Sequence, residues 1–189
     1  MKKIKFVAQP ILVVLVSLCL ACTNQPSGSE KGIVLADQTT VAQSISPGDT
    51  APAFTKKDKD GNTVSLSDYA GKYVLISFWG TWCKPCRASH PHLVGLYNKY
   101  SKLGLAFINI ANEGGKDARA KWLRAIEDDG LVWTQILNTE GIDECNVLTL
   151  YNIESYPTKI LIDPQGKIAA KWIGSTREMD EKLIEVFGS

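Results

Sequence analysis

The 189-residue sequence predicts an α/β fold, a three-layer sandwich around a central mixed β-sheet. The segment from Tyr73 to Trp79 is an apolar run, of the kind found in a central strand that is covered on both faces. Strand and helix patterns alternate from this run to Asp129, and two further strands and a helix end the chain. The order of elements is therefore βαβα followed by ββα.

A short hairpin is predicted before the central strand, because the turn pair Asp60-Gly61 separates the runs Ala53–Thr55 and Thr63–Leu66. The helix after Trp79 has apolar residues at spacings of three and four, which give it one apolar stripe. Pro91 is expected to kink this helix near its first turns. The stripe consists of Leu93, Leu96, Tyr97, Tyr100 and Leu103.

The next strand is predicted from Leu105 to Ala111, and the next helix from Lys116 to Asp129. A shorter helical stretch is predicted from Ile142 to Tyr151. The apolar face of the longer helix carries Ala118, Trp122 and Ile126.

The last strands, Thr158 to Asp163 and Lys167 to Ile173, are predicted to pair around a turn that contains proline and glycine at favoured positions. Ser175 and Glu178 have the spacing of a capping box, which predicts the start of a final helix. That helix is expected to bury Met179, Leu183 and Phe187.

Two cysteines, Cys83 and Cys86, lie two residues apart where the apolar strand gives way to the helix. A helix start has unpaired N–H groups and the positive end of the macrodipole, so a thiolate is stabilised there. Thiols in such settings have pKa values of roughly 3.5 to 7.5, against about 8.5 for a free thiol. We therefore expect Cys83 to be an exposed attacking thiolate and Cys86 a shielded resolving thiol. Lys84 adds positive charge, and Pro85 fits the first turn of the helix.

Two structural interpretations of the pair remain open. His90 and His92 follow closely, so the two cysteines and two histidines are four possible zinc ligands. Residues 90 and 92 point about 200° apart on a helix, which disfavours a shared metal, and we assign no metal. The pair is alternatively an inert disulfide, although so small a ring constrains little of the unfolded chain.

The N-terminal segment predicts export. Residues 1–21 have a lysine-rich start and an apolar run that ends at Ala21, the pattern of a bacterial signal peptide. Cys22 follows directly and is the expected lipidation site. Residues 22–45 are predicted to be a tether, and residues 46–189 a single domain large enough for its own core. The location expected is the cell envelope, facing the periplasm, with a lipid anchor in a membrane.

The charge balance argues against nucleic acid as a partner. The chain has 21 basic and 20 acidic residues, and removing the leader takes away three lysines and no acid. A formal charge of −2 and the lack of a basic stripe suit neither DNA nor RNA.

The chain resembles the thioredoxin superfamily, most closely its exported, membrane-anchored TlpA-like branch of thiol-disulfide oxidoreductases. The matching segments are 78–86 with both cysteines, Pro91, and Tyr156-Pro157-Thr158 before the strand 159–163. The resemblance covers roughly residues 47–187 and implies a thioredoxin-like sandwich. It also implies reduction of protein disulfides, including those of apocytochrome c, with electrons from a membrane thiol carrier and no cofactor.

By the same resemblance, a cis peptide bond should precede Pro157 and turn Tyr156 toward the cysteine pair, where the backbone could pair with a substrate strand. An ordinary trans proline is the alternative. Trp82, which flanks the cysteines together with Trp79, completes the candidate substrate-binding set with Tyr156 and Pro157.

The chain departs from this pattern below the second cysteine, where related proteins often have a buried carboxylate. Ser77 and Ser89 occupy those positions here, which leaves the proton relay in doubt. Glu113, Glu154 and His90 lie near the same face but are interpreted as solvated surface groups.

Cys145 is the odd cysteine and is interpreted as a buried, inert thiol, with a bridge or a third redox role as the alternatives. Two other functions stay open: a peroxiredoxin-like thiol peroxidase, and a non-catalytic surface lipoprotein with a structural disulfide. Thr81 lies two residues before Cys83, whereas a peroxidatic cysteine resembling that family would have threonine three before it.

Overall fold

The computed structural model describes residues 45–140, 146–174 and 177–188. The proposed leader, Cys22, all of the tether except Ile45, Cys145 and the Ser175 half of the capping box lie outside these residues. Among the described residues, no helix is both long enough and apolar enough to cross a bilayer.

Seven strands and four α-helices occur in the described part of the chain. The strands are β1 (Thr55–Lys57), β2 (Thr63–Ser65), β3 (Val74–Trp79), β4 (Ala106–Ala111), β5 (Thr134–Leu137), β6 (Thr158–Ile162) and β7 (Ile168–Ile173). The helices are α1 (Lys84–Tyr100), α2 (Ala118–Asp128), α3 (Val147–Leu150) and α4 (Arg177–Phe187).

The central sheet is mixed, as predicted, and has the strand order β5-β4-β3-β6-β7. Strands β3, β4 and β5 are parallel, while β6 and β7 run antiparallel to their neighbours. Strands β1 and β2 form the predicted hairpin as a separate two-stranded sheet. Every residue of β3 is buried, which confirms that the apolar run is the central strand.

Alternate residues of β3 belong to two buried clusters on opposite faces of the sheet. Leu75 and Trp79 pack with α1, α2 and α4, whereas Ile76 and Phe78 pack with α3 and the residues around the β1–β2 hairpin. This arrangement is the three-layer sandwich that the sequence predicts.

Two sequence-based expectations about the elements are wrong. Strand β5 was not predicted, because its four residues are too few to give a periodic signal beside the preceding helix. Leu103 is 54% exposed rather than part of the α1 stripe, because α1 ends at Tyr100 and a 3-10 turn leads to Gly104 with φ 95°. The change of helix type rotates Leu103 away from the core.

Candidate active site

The two cysteines lie at the start of α1 and are joined by a disulfide with a Cα–Cα distance of 5.3 Å. Cys83 is the N-cap residue, and the backbone N–H of Cys86 donates a hydrogen bond to its Sγ at 3.2 Å. Lys84 and Pro85 occupy the first two helical positions, as expected, and both are exposed. The upstream sulfur therefore sits where a helix start stabilises negative charge.

Cys83 is not the exposed thiol that the sequence analysis expected. It is 4% exposed, and Cys86 is fully buried. The disulfide and the Cys86 N–H hold the Cys83 sulfur over the first turn of α1, within the apolar cluster on that face of the sheet. The predicted difference in exposure between the two thiols is therefore small in the disulfide form.

An aromatic rim beside the pair contains two of the three predicted substrate-binding residues. Trp82 is 58% exposed, and its ring meets that of Tyr156 edge to face at a centroid distance of 5.3 Å. Asn112, which sequence reasoning missed, contacts both rings. Its backbone carbonyl accepts a hydrogen bond from Trp82 Nε1 at 2.9 Å, and its side-chain Nδ2 donates one to the Tyr156 hydroxyl at 3.0 Å. Burial raises the pKa of Tyr156, and the hydrogen bond from Asn112 offsets part of that rise.

Gly80 makes room for this rim. A Cβ built at residue 80 would lie 2.6 Å from Nε1 of Trp82 and 3.0 Å from the carbonyl oxygen of Asn112. Any larger residue would therefore displace the Trp82 indole from its hydrogen bond.

The Tyr156–Pro157 peptide bond is cis, which confirms the expectation drawn from the resemblance. Pro157 is buried, and its carbonyl accepts from the N–H of Gly174 at 2.9 Å. The ring contact between Trp82 and Tyr156 places this segment beside the cysteine loop.

Glu113 is not the solvated charge that the sequence analysis expected. It is 6% exposed, and its carboxylate accepts from both the backbone N–H and the hydroxyl of Thr81, the latter at 2.9 Å. The two hydrogen bonds tie the loop before the cysteines to the end of β4. Glu154, in contrast, is exposed as expected.

His90 is likewise buried, at 1% exposure, where the sequence analysis expected a surface side chain. Its Nδ1 lies 2.6 Å from Oδ2 of Asp129, and its ring meets Trp79 edge to face at 4.7 Å. Arg87 donates two hydrogen bonds to the same carboxylate, at 2.9 and 2.6 Å. Asp129 follows the last residue of α2, so the contact could not be read from local sequence.

The two histidines have different partners. His92 is exposed and lies 2.8 Å from Asp180 of α4, whereas His90 faces Asp129 beside α2. This divergence agrees with the helical geometry that disfavours a zinc site shared by both side chains.

Beside Ser77 the structure buries a lysine, which the sequence analysis did not identify. Lys159 pairs with Ser77 across β3 and β6 and is 1% exposed. Among the described residues its Nζ has no hydrogen-bond partner. Burial lowers the pKa of Lys159, and the negative charge of Asp180 offsets part of that decrease. Ser89 donates a hydrogen bond to the carbonyl of Cys86 at 2.7 Å.

A mixed sheet with a cysteine pair at the first turn of the helix after its central strand defines a thioredoxin-like thiol-disulfide oxidoreductase. The chain belongs to the AhpC/TSA family, which residues 47–171 match.

Curated relatives and a solved structure agree with this class. The chain is 32% identical over 136 residues to the thiol-disulfide oxidoreductase ResA of Bacillus subtilis, covering 72% of each chain. It is 36% identical over 142 residues to the thioredoxin-like protein YneN of the same organism, covering 74% of this chain and 79% of the relative. The thioredoxin domain of a thiol-disulfide oxidoreductase from Bacteroides vulgatus superposes with a TM-score of 0.67 at 35% identity, covering 76% of this chain and 99% of that domain.

Proposed function

We propose that this protein is an exported reductase of protein disulfides that works in the cell envelope. The observation that carries the proposal is the position of Cys83, whose sulfur caps α1 and accepts the N–H of Cys86. A donor aimed at that sulfur stabilises a thiolate, which is the attacking species in thiol-disulfide exchange.

In the proposed reaction, the Cys83 thiolate of the reduced protein attacks a substrate disulfide and releases one substrate thiolate. Cys86 then attacks Cys83 Sγ in the mixed disulfide, forms the intramolecular bond of the structure and releases the second substrate thiol. The protein loses two electrons and the substrate gains two. No metal or organic cofactor takes part in either step.

The aromatic rim suits an extended peptide. Trp82 offers an exposed apolar surface directly before Cys83, and Tyr156 stands opposite it. We assign Trp82, Tyr156 and Pro157 to substrate binding, with the backbone at residue 156 pairing with the peptide. Lys84 and Pro85 tune the site through charge and through the geometry of the first turn.

The proposed location rests on the sequence of the leader. Cleavage after Ala21 would leave Cys22 as a lipidated N-terminus, and the tether would hold the domain at the membrane surface, facing the periplasm. A membrane thiol carrier would then regenerate the dithiol, and apocytochrome c is the proposed protein substrate. Replacing Cys22 by serine should move the protein from the membrane fraction to the soluble envelope fraction.

The decisive experiment combines a trapping variant with a redox titration of residues 46–189. In Cys86→Ser, the mixed disulfide between Cys83 and the peptide should accumulate because no thiol resolves it. In Cys83→Ser, no mixed disulfide should form. Cys145→Ser is the control and should reduce the peptide at the unaltered rate. A reduction potential near the thioredoxin value of about −270 mV supports the reducing direction, and one near −120 mV contradicts it.

The same experiment tests the two alternatives. A disulfide that resists reduction below about −300 mV, with no turnover, would indicate a structural staple. Peroxide consumption that survives Cys86→Ser would indicate a thiol peroxidase.

A further inference from the structure

A histidine that the redox chemistry described above does not use lies buried against the disulfide helix. His90 is one helical turn after Cys86 on the inward face of α1, and both residues are buried. Side chains four apart on a helix are neighbours, and each leans toward the turn that precedes it. The imidazole therefore covers the turn that contains Cys86.

The contact with Asp129 fixes which nitrogen of His90 is basic. Burial raises the pKa of Asp129, but hydrogen bonds from Arg87 and His90 outweigh it and lower the value, so the carboxylate is ionised and accepts a hydrogen from Nδ1. In the neutral ring, Nε2 then carries the lone pair. Among the described residues, Nε2 is buried with no hydrogen-bond partner.

The groups around the ring keep it neutral at pH 7. Burial is the main cause of the lowered pKa of His90; Asp129 opposes it, and Arg87 and Lys159 add to it. The charged groups come from α1, from the end of α2 and from β6, while β3 packs on the ring through the uncharged Trp79. Arg87 is on α1 and also approaches Asp128 at 3.8 Å, Asp129 follows α2, Lys159 is on β6, and Asp180 on α4 acts on Lys159.

We propose that His90 Nε2 accepts the proton of the Cys86 thiol during resolution, with Asp129 as the positioning residue that holds the tautomer. This inference rests on the proposed function. In the step, the Cys86 S–H bond breaks, the proton moves to Nε2, and the Cys86 thiolate attacks Cys83 Sγ while the substrate thiolate leaves. The proton passes from the imidazolium to solvent or to the departing thiolate. His90 thus supplies the proton transfer that neither Ser77 nor Ser89 can supply.

The test separates attack from resolution. The reduced protein is mixed with excess glutathione disulfide, quenched with acid and alkylated. Mass spectrometry then measures the reduced, glutathionylated and internally disulfide-bonded forms. His90→Asn keeps a donor near the position of Nδ1 but removes the base. Its attack rate should stay within about twofold of wild type, while its resolution rate falls about 100-fold at pH 7, within the usual range for general-base catalysis. Glutathionylated protein should accumulate.

His92→Asn is the matched control, because this exposed histidine lies two residues along the same helix. It should resolve at the wild-type rate. Asp129→Asn should also slow resolution. If thermal unfolding shows that His90→Asn does not fold, the resolution rate of Asp129→Asn tests the role of His90 instead.

The pH profile distinguishes a base from a structural contact. In wild type, the resolution rate should be level near neutrality and fall in acid as His90 is protonated. In His90→Asn it should rise about tenfold per pH unit, because hydroxide must remove the proton. Lys159→Met removes a group that lowers the pKa of His90, so it should shift the acid limb to higher pH.

Each outcome has one meaning. If wild type forms no internal disulfide from a substrate disulfide, the proposed function fails and the role of His90 fails with it. If wild type resolves normally and His90→Asn matches it in rate and pH profile, only the role of His90 is overturned. The same holds if His92→Asn is slowed as much as His90→Asn.

Discussion

Two neighbouring rows of side chains cross the middle of the central sheet and point to opposite faces. The apolar row consists of Ile108, Ile76 and Ile160, which are paired in register and fully buried under the α3 side. One residue further along the same strands, the polar row lies on the side of α1, α2 and α4. It consists of Gln135, Asn109, Ser77 and Lys159, each at most 3% exposed.

The two rows share strands, burial and register, so their difference in composition follows from what covers them. The apolar row only packs, whereas the polar row lies beneath the helix that carries the cysteines and His90. Buried polar groups without partners are unfavourable, and among the described residues both side-chain polar atoms of Gln135 and the Nζ of Lys159 have none. The polar row therefore lowers stability on the face that does the chemistry.

The largest contrast is expected from truncating adjacent residues of β3. Ile76→Ala should lower the free energy of unfolding by about 2–5 kcal/mol, because it leaves a cavity in a packed core. Ser77→Ala, one residue away on the other face, should change it by less than about 1 kcal/mol. Urea denaturation of both variants measures the difference, and equal losses would mean that the two faces are packed alike.

A smaller effect of opposite sign is expected at the edge of the polar row. Gln135→Leu replaces an amide with no partner in the described residues by an apolar group of similar size, so it should raise the free energy of unfolding by about 1–2 kcal/mol. Disulfide reductase activity should be unaltered, because β5 lies two strands from β3. A loss of stability would show that Gln135 has hydrogen-bond partners in the folded protein and that the polar row does not lower stability.

The smallest effect is a pH dependence. The pKa of His90 is lowered in the folded protein, so the unfolded chain binds more protons and stability falls as the pH drops below about 6.5. This loss of stability is complete once the pH falls below the lowered pKa of His90 in the folded protein. The contribution of His90 is therefore present at pH 7 and absent in acid. In thermal melts from pH 7 to pH 5, His90→Asn should lose less stability than wild type, and parallel curves would contradict the assignment.

Local patterns sufficed for much of the fold and for the reactive pair. The apolar run of β3, the helix that follows it and the Cys83/Cys86 spacing are all set within about 30 residues of one another, and the structure has them where the sequence predicts them. Strand β5 could not be predicted, because four residues at a sheet edge carry little periodicity.

Burial of single polar residues was the part that sequence could not predict. His90 and Glu113 were assigned to the surface because such residues are mostly exposed. Their partners lie far along the chain, Asp129 being 39 residues from His90 and Thr81 being 32 from Glu113. The lack of an acid at Ser77 and Ser89 is the sequence feature that favours a different proton acceptor, the role proposed above for His90.

Asn112 joins the two walls of the proposed substrate cleft through a single amino acid, with its carbonyl on the indole of Trp82 and its amide on the phenol of Tyr156. A peptide that displaces the indole must break the first of these bonds, and one that displaces the phenol must break the second. Neither wall therefore opens without the loss of a hydrogen bond to the same residue.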